Sequence, residues 1–312
     1  MHRISRSELL AGSAALIATP RLVGAQTLEK VRFCGVPTDD LTPIFWGIKT
    51  GIYARAGIDV EFIPTGSGTA ATTAVIGGTY EMGKGSQIAA FIAYLKNVPI
   101  VLIGNGAVWE INNAWALGLV AADSPFKTAA DLNGQIIGAA ALNDLSTLGI
   151  NAWVDKNGGD SKTLKWVEIP GSAAGAALVE HRIAACQLNE PQLRAALETL
   201  KVRVFAPFLS AISPSFVSTV YFARPDWARS NRPLVEKFVR ASYESAAFTN
   251  THPNETAPVV AEITKIPLSV VSKMTRSRSA TNSNPAAIQS SIDVAAKYAQ
   301  IPRSFPAKEI YL

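Results

Sequence analysis

The sequence has few of the residues that build catalytic or metal sites. It contains two cysteines and three histidines in 312 residues, and His2, His181 and His252 lie far apart in the chain. No G-x-S-x-G, H-E-x-x-H or C-x-x-C motif is present. We therefore predict that the protein is not an enzyme, that it has no catalytic or metal-ligating residues, and that it needs no cofactor.

Charge is sparse as well. Charged residues make up 17% of the chain and the formal net charge is +5, with three arginines and one glutamate in the first 25 residues. The remaining Lys and Arg residues are scattered, without a basic run interleaved with aromatics, so we expect no nucleic-acid partner. Hydrophobic residues account for 48%. A chain of this length and composition can bury the cores of two lobes.

The chain contains no apolar segment that is long enough to span a membrane. Residues 9–18 form a short apolar run after Arg3 and Arg6, and Val23-Gly24-Ala25 follows as a small-x-small pattern. We interpret residues 1–25 as a cleaved signal peptide for the Sec or twin-arginine route, which predicts a periplasmic protein. A buried first helix is the alternative. No cysteine follows the cleavage pattern, so a lipid anchor is not expected.

The two cysteines, Cys34 and Cys186, could pair in an exported protein. They fall in different predicted lobes, each within or beside a strand-like run. We therefore favour two buried free thiols over a disulfide.

The first two thirds of the chain alternate between strand and helix patterns. Strands are predicted at residues 31–36, 58–63, 80–83, 99–104, 115–122, 134–140, 164–169, 183–188, 202–206 and 216–223. Helices are predicted at residues 43–56, 69–76, 86–95, 146–157, 173–180 and 191–200. In the first helix, Ile44, Ile48 and Ile52 have the spacing of a core-facing stripe. This order predicts two mainly parallel sheets flanked by helices.

Residues 233–299 show helical patterns only, broken by prolines. The predicted fold is therefore an α/β fold of two lobes with a helical C-terminal tail that packs on the first lobe. Residues 26–113 and 225–312 form lobe 1, and residues 114–224 form lobe 2. Ligands of open parallel sheets bind beyond the carboxyl ends of the strands, so we expect a cleft between the lobes that closes by a hinge.

Three strand-to-helix turns of lobe 1 supply candidate ligand-binding residues. The alternative for each turn is an ordinary helix cap or glycine turn. The acidic pair of the first turn would favour a ligand with amine or hydroxyl donors, and the glycine turn offers free N–H groups. The candidates in lobe 1 are Thr38, Asp39, Asp40, Gly66, Ser67, Gly68, Thr69, Gly85, Ser86 and Gln87.

Two turns of lobe 2 supply the remaining candidates. The turn Asn143-Asp144-Leu145-Ser146-Thr147 follows a strand and begins a helix, and Asn189-Glu190-Pro191 does the same. The candidates in lobe 2 are Asn143, Ser146, Thr147, Asn189 and Glu190. The aromatic side chains of Phe45, Trp109 and Trp115 could stack on a ligand, although aromatic residues more often belong to the core.

Five segments resemble one known family. They are FWGIKTGIYARAGIDVE at residues 45–61, the G-S-G turn at residues 66–68, GGTYEMG at residues 77–83, DSPFKTAADLNG at residues 123–134, and Glu190-Pro191. These segments resemble the solute-binding proteins of importers for nitrate, sulfonates, taurine and thiamine precursors. The resemblance covers residues 28–225. It departs from the family pattern at Asn189, where an aromatic residue is common.

The resemblance implies a type II periplasmic-binding fold whose two lobes are joined by two crossings. It implies a monomeric receptor that captures a small polar organic molecule and delivers it to an ABC permease. A thiamine-pyrimidine enzyme on the same fold and a ligand-sensing module for a membrane partner are the alternatives. The related fungal enzyme carries a cysteine cluster, and this chain has only two separated cysteines.

Overall fold

The computed structural model describes residues 27–142 and 144–312. The predicted signal peptide and the candidate Asn143 lie outside the described residues. In the described part, the strands are β1 (Glu29–Gly35), β2 (Ile58–Pro64), β3 (Met82–Ser86), β4 (Val101–Asn105), β5 (Ala107–Glu110), β6 (Ala116–Ala121), β7 (Ile136–Ala139), β8 (Lys165–Glu168), β9 (Ala185–Asn189), β10 (Val202–Ala206), β11 (Ser215–Val217), β12 (Thr219–Ala223) and β13 (Arg278–Ser279).

The α-helices of the same residues alternate with the strands and then form the tail. They are α1 (Thr42–Lys49), α2 (Ile52–Arg55), α3 (Gly68–Ile76), α4 (Gln87–Leu95), α5 (Leu145–Lys156), α6 (Gly171–Val179), α7 (Gln192–Thr199), α8 (Pro225–Ser230), α9 (Arg232–Thr249), α10 (Pro253–Thr264), α11 (Leu268–Val271) and α12 (Gln289–Lys297). Short 3₁₀ helices lie at Asp39–Leu41, Ile111–Asn113, Ala129–Leu132, Ser161–Thr163, Phe208–Ala211, Pro285–Ile288 and Ala307–Ile310.

The first sheet has the strand order β2-β1-β3-β12-β4. Strand β1 pairs in parallel with β2 and β3, while β12 runs antiparallel between β3 and β4. Alternating apolar residues place Phe33 in the core, where its ring lies 5.8 Å from the Tyr221 ring and 5.3 Å from the Phe238 ring. Burial of one such side chain stabilises the fold by about 1.5–3 kcal/mol.

The second sheet has the strand order β10-β6-β9-β7-β8. Strand β7 pairs in parallel with β8 and β9, and β6 runs antiparallel between β9 and β10. Each sheet thus has one antiparallel strand among parallel ones, and helices flank both. The prediction of two mainly parallel α/β lobes is confirmed.

A third, small sheet joins the two large ones, with the order β11-β5-β13. The chain passes from the first sheet to the second through β5 and returns through β11, and these strands pair antiparallel with Trp109 opposite Phe216. Strand β5 was not predicted. The run predicted at residues 216–223 is interrupted at Ser218, whose N–H and hydroxyl both donate to the Ala107 carbonyl. As a result β11 and β12 belong to different sheets.

Strand β12 belongs to the first sheet and not to the lobe in which the sequence prediction placed it. The sequence prediction placed residues 114–224 in lobe 2, yet Thr219–Ala223 pairs with β3 and β4 of the first sheet. Periodicity identifies such a strand but not its partners, because pairing depends on residues more than 100 positions away.

The predicted first helix is divided in two. Gly51 has a φ of 73°, which is the left-handed conformation that favours glycine, and it separates α1 from α2. Ile44 and Ile52 are buried as expected, but Ile48 is 38% exposed. The core-facing assignment of Ile48 is therefore wrong, because this residue lies on the solvent side of the last turn of α1.

The C-terminal helices pack on the first lobe and also reach the second. Helix α9 contacts α1, and α12 contacts α4, while α11 contacts α7 and α12 contacts α5. Just after α12, the Gln300 amide donates a hydrogen bond of 3.0 Å to the hydroxyl of Thr147 in α5. No helix among the described residues is long and apolar enough to cross a membrane.

The two cysteines are free and buried in different sheets, Cys34 in β1 and Cys186 in β9. This confirms the preferred alternative of two separate thiols. Burial raises the pKa of each thiol to about 12.

Candidate functional site

A cavity of about 340 Å³ lies between the facing edges of the two large sheets. Its first wall consists of residues 36–38, 65–68 and 84–86, which end or follow β1, β2 and β3. Its second wall consists of residues 144–146, 170–172 and 187–189, which end or follow β7, β8 and β9. The cavity therefore occupies the place where parallel α/β sheets bind ligands.

Four helices begin at this cavity. Ser67 caps α3 by accepting the Ala70 N–H at 3.1 Å, and Ser86 caps α4 by accepting the Ile88 N–H at 3.4 Å. Asp144 caps α5 through the Leu145 N–H at 2.5 Å. Helix α6 begins after Pro170 without a side-chain cap.

Two glycines allow two segments of the first wall to pack closely against each other. A Cβ atom on Gly68 would lie 2.7 Å from the backbone nitrogen of Ser86, and one on Gly85 would lie 2.8 Å from the Gly68 carbonyl oxygen. Both distances are too short for real contacts. The glycine turn after β2 therefore packs directly on the end of β3, which brings the two caps, Ser67 and Ser86, to the same wall.

A buried ion pair joins Lys84 and Asp40 in the first wall. Their side chains are 6% and 2% exposed, respectively. The Thr38 hydroxyl donates to the other oxygen of Asp40 at 2.6 Å, and Thr38 also lines the cavity. Such a pair is held in place by its hydrogen bonds, and removal of either partner would leave an uncompensated buried charge.

Asp144 faces this pair from the second wall. Burial raises the pKa of its carboxyl group, while the Ser86 hydroxyl, the Leu145 N–H and the charge of Lys84 act in the opposite direction. The Ser86 oxygen also accepts the Leu145 N–H at 3.1 Å, which is a hydrogen bond between the two lobes. A serine of the first lobe thus contacts the start of α5 in the second.

Side-chain amides supply three of the six polar side chains of the second wall. Gln187, Asn189 and Gln192 line the cavity. The side-chain oxygens of Gln187 and Gln192 are buried and have no hydrogen-bond partner among the described residues. Buried polar atoms are nearly always paired, so these oxygens are candidates for bonding to a ligand or to ordered water.

Trp115 is the aromatic residue of the predicted trio that lines the cavity. Its indole N–H donates to the Val108 carbonyl at 2.9 Å, which fixes the ring. Phe45 and Trp109 are buried in the core instead.

The structure brings most of the predicted site residues together at this cavity. Those that line it are Thr38, Asp40, Gly66, Ser67, Gly68, Gly85, Ser86, Ser146 and Asn189. Five predicted residues are not part of its lining, namely Asp39, Thr69, Gln87, Thr147 and Glu190. Asn143 lies outside the described residues.

Asp39 and Gln87 are held by partners away from the cavity. The Asp39 carboxylate accepts the Arg276 Nε–H at 2.8 Å and the Ser277 N–H at 2.6 Å. The Gln87 amide donates to the Val217 carbonyl at 3.1 Å and to the Ser291 hydroxyl at 2.6 Å. Both side chains therefore join the first lobe to later segments of the chain.

Thr147 and Glu190 also have partners behind the wall. The Thr147 hydroxyl donates to the Asp144 carbonyl at 2.8 Å within the first turn of α5. The Glu190 carboxylate accepts the N–H groups of Arg194 at 2.9 Å and Thr275 at 3.3 Å. Glu190 thus links the second lobe to the tail.

Several polar residues of the cavity escaped the sequence prediction, among them Lys84, Asp144, Gln187 and Gln192. Two of them carried a usable signal: Asp144 belongs to a predicted turn, and Gln187 is two positions before Asn189 and hence on the same side of a strand. Among the described residues, no group of His, Cys, Asp or Glu is arranged to hold a metal ion.

The family model described as NMT1/THI5 like matches residues 38–256. The chain belongs to this family. No curated protein matches the sequence.

Solved structures share the fold of this NMT1/THI5-like chain. The periplasmic aliphatic sulphonate binding protein SsuA from Escherichia coli is similar with a TM-score of 0.71 and 17% identity, over 91% of this chain and 92% of its own. The alkanesulfonate-binding protein SsuA from Xanthomonas axonopodis pv. citri, bound to MOPS, is similar with a TM-score of 0.76 and 14% identity, over 91% of this chain and 98% of its own. The nitrate-binding protein NrtA from Synechocystis PCC 6803 is similar with a TM-score of 0.76 and 13% identity, over 91% of this chain and 85% of its own.

Proposed function

We propose that the protein is the extracytoplasmic solute-binding receptor of an ABC importer. It binds a small polar organic molecule reversibly between its lobes and does not convert it. The observation that carries this proposal is the cavity between the two sheets, which is lined by strand ends and helix N-termini of both lobes. The solved structures with the same fold are described as sulfonate- and nitrate-binding proteins, which supports a receptor.

Closure of the lobes around the ligand is part of the proposal. The two linking segments pair with each other as β5 and β11, so they can act as one hinge. Opening at this hinge would separate groups that bridge the lobes, including Ser86 with Leu145 at 3.1 Å and Glu190 with Thr275 at 3.3 Å. A ligand in the cavity adds contacts to both lobes, so it favours the closed state.

A screen by thermal shift, followed by calorimetry on the hits, tests reversible binding. Ligand at 100 times its dissociation constant should add about 2.7 kcal/mol to the free energy of unfolding. Small-angle X-ray scattering with and without ligand should show a smaller radius of gyration in the complex. Chemical conversion of a hit on incubation with the protein would contradict the receptor function and favour an enzyme.

The location and the partners follow from the same proposal. We expect a monomer, exported to the periplasm, with its signal peptide removed before Gln26 and with an ABC permease as its partner. Mass spectrometry of the periplasmic fraction gives the mature N-terminus, and light scattering gives the oligomeric state. Genes for a permease and an ATPase beside this gene would support an importer, whereas a neighbouring membrane sensor would favour a signalling module.

A further inference from the structure

The charged side chains of the cavity wall are few and largely neutralised by one another. Among the described residues that line the cavity, the ionisable ones are Asp40, Lys84 and Asp144. Lys84 forms a buried ion pair with Asp40, and the second oxygen of Asp40 accepts the Thr38 hydroxyl at 2.6 Å. Asp40 neutralises the charge of Lys84, so this pair offers no net positive charge to an anionic ligand.

Helix N-termini would ordinarily compensate for this lack of positive charge. The N-termini of α3, α4, α5 and α6 converge on the cavity, and such termini favour negative charge. At α5 and beside α4 the protein supplies that charge itself, because the Asp144 carboxylate caps α5 through the Leu145 N–H at 2.5 Å and also contacts Ser86, the cap of α4. A carboxylate of the chain thus lies where an anionic head group would otherwise be attracted.

The second wall contains hydrogen-bond acceptors that have no donor among the described residues. The buried side-chain oxygens of Gln187 and Gln192 have no partner among the described residues, and both residues line the cavity. Together with Asp144 they form a group of acceptors on one side of the cavity. A ligand with N–H or O–H donors satisfies them, whereas the oxygens of a sulfonate or of nitrate offer acceptors only.

We propose that the cavity selects an uncharged or singly positive organic molecule with N–H or O–H donors, such as an amide or an amine, over a sulfonate, nitrate or another permanent anion. Asp144, Gln187 and Gln192 accept the donors of the ligand. The volume of about 340 Å³ lies at the lower end of the range of small-molecule sites. This inference rests on the proposed receptor function and gives its ligand class.

Matched ligands with one skeleton and different head groups test the ligand class. Two such sets are benzenesulfonate, benzamide and benzylamine, and propanesulfonate, propionamide and propylamine, each measured by calorimetry at pH 7.5. We expect the amide or the amine to bind at least tenfold more tightly than the sulfonate of its set. Tighter binding of the sulfonates would overturn the ligand class and leave the receptor function intact. If neither these sets nor a broad solute library binds, the receptor function fails and the ligand class with it.

The Asp144→Asn variant tests the charge directly. Asparagine is as good an N-cap as aspartate, so α5 should keep its start and the variant should fold. We expect the ratio of sulfonate affinity to amine affinity to rise at least tenfold in Asp144→Asn. The control is Asp226→Asn, whose side chain is 72% exposed and lies outside the cavity. An unchanged ratio in Asp144→Asn would overturn the assigned role of this carboxylate.

Discussion

Glu190 predicts an unusual dependence of stability on pH. Its side chain is buried, and the residue is 2% exposed. Burial raises the pKa of its carboxyl group from 4.5 to about 7; the negative charge of Asp39 adds to this effect, while the N–H groups of Arg194 and Thr275 and the charge of Arg194 reduce it. The Glu190 carboxyl group therefore binds its proton more tightly in the folded protein than in the unfolded chain.

The sign and the size of the effect follow from these two pKa values. The favourable contribution of the protonated carboxyl group is fully present below pH 4.5 and is lost as the pH rises to about 7. The difference between the two values corresponds to about 3 kcal/mol. Ionisation of Glu190 should thus lower the free energy of unfolding by about this amount between pH 4.5 and pH 8.

Urea unfolding at a series of pH values from 4 to 8.5 measures the effect in the wild type and in Glu190→Gln. The glutamine cannot ionise, so the free energy of unfolding of the wild type relative to Glu190→Gln should fall by about 3 kcal/mol across this range. Glu255→Gln, a change at an exposed position of α10, is the control and should parallel the wild type. Parallel curves for the wild type and Glu190→Gln would refute the reasoning, as would a wild type that gains relative stability with rising pH.

Three further predictions concern the cavity wall and the core. Lys84→Met leaves Asp40 buried without its cation and should lower the free energy of unfolding by about 3–5 kcal/mol. Part of this loss should return in the double variant with Asp40→Asn, so strictly additive effects in urea unfolding would contradict an interaction between the two side chains. Gly68→Ala places a Cβ against the end of β3 and should lower the free energy of unfolding by about 1–3 kcal/mol, measured as a lower Tm. An unchanged Tm would show that this part of the wall can shift to accommodate the Cβ. Cys34 and Cys186 should resist a thiol reagent in the native protein and both react in guanidinium, so rapid labelling of the native protein would contradict their burial.

The order of strands and helices could be predicted because burial imposes a period on each element. The strand at Val202–Ala206 has the predicted bounds, and most other elements differ by at most three residues at either end. Strand β5 was missed because its four residues, Ala107–Glu110, pair with segments far along the chain. Local periodicity carries no information on such partners, which also explains why β12 was assigned to the wrong lobe.

The site could be predicted only as far as backbone position determines it. A residue at the carboxyl end of a strand must lie near the cleft, which is why Ser67, Ser86 and Asn189 were identified. The directions of neighbouring side chains were not predictable. Asp39 and Asp40 are adjacent, yet Asp40 pairs with Lys84 at the cavity, whereas Asp39 pairs with Arg276, 237 residues away in sequence.

The cavity also connects the proposed ligand contacts with the proposed hinge. Trp115 precedes β6 on the segment that enters the second lobe, and Ser218 separates β11 from β12 on the segment that returns. Both residues line the cavity, and both are hydrogen-bonded to the hinge strand β5, through the carbonyls of Val108 and Ala107. A rotation at the proposed hinge would therefore move cavity side chains together with the walls. Because a ligand in the cavity would contact the linking segments directly, its binding energy would act on the proposed hinge without a chain of intermediate residues.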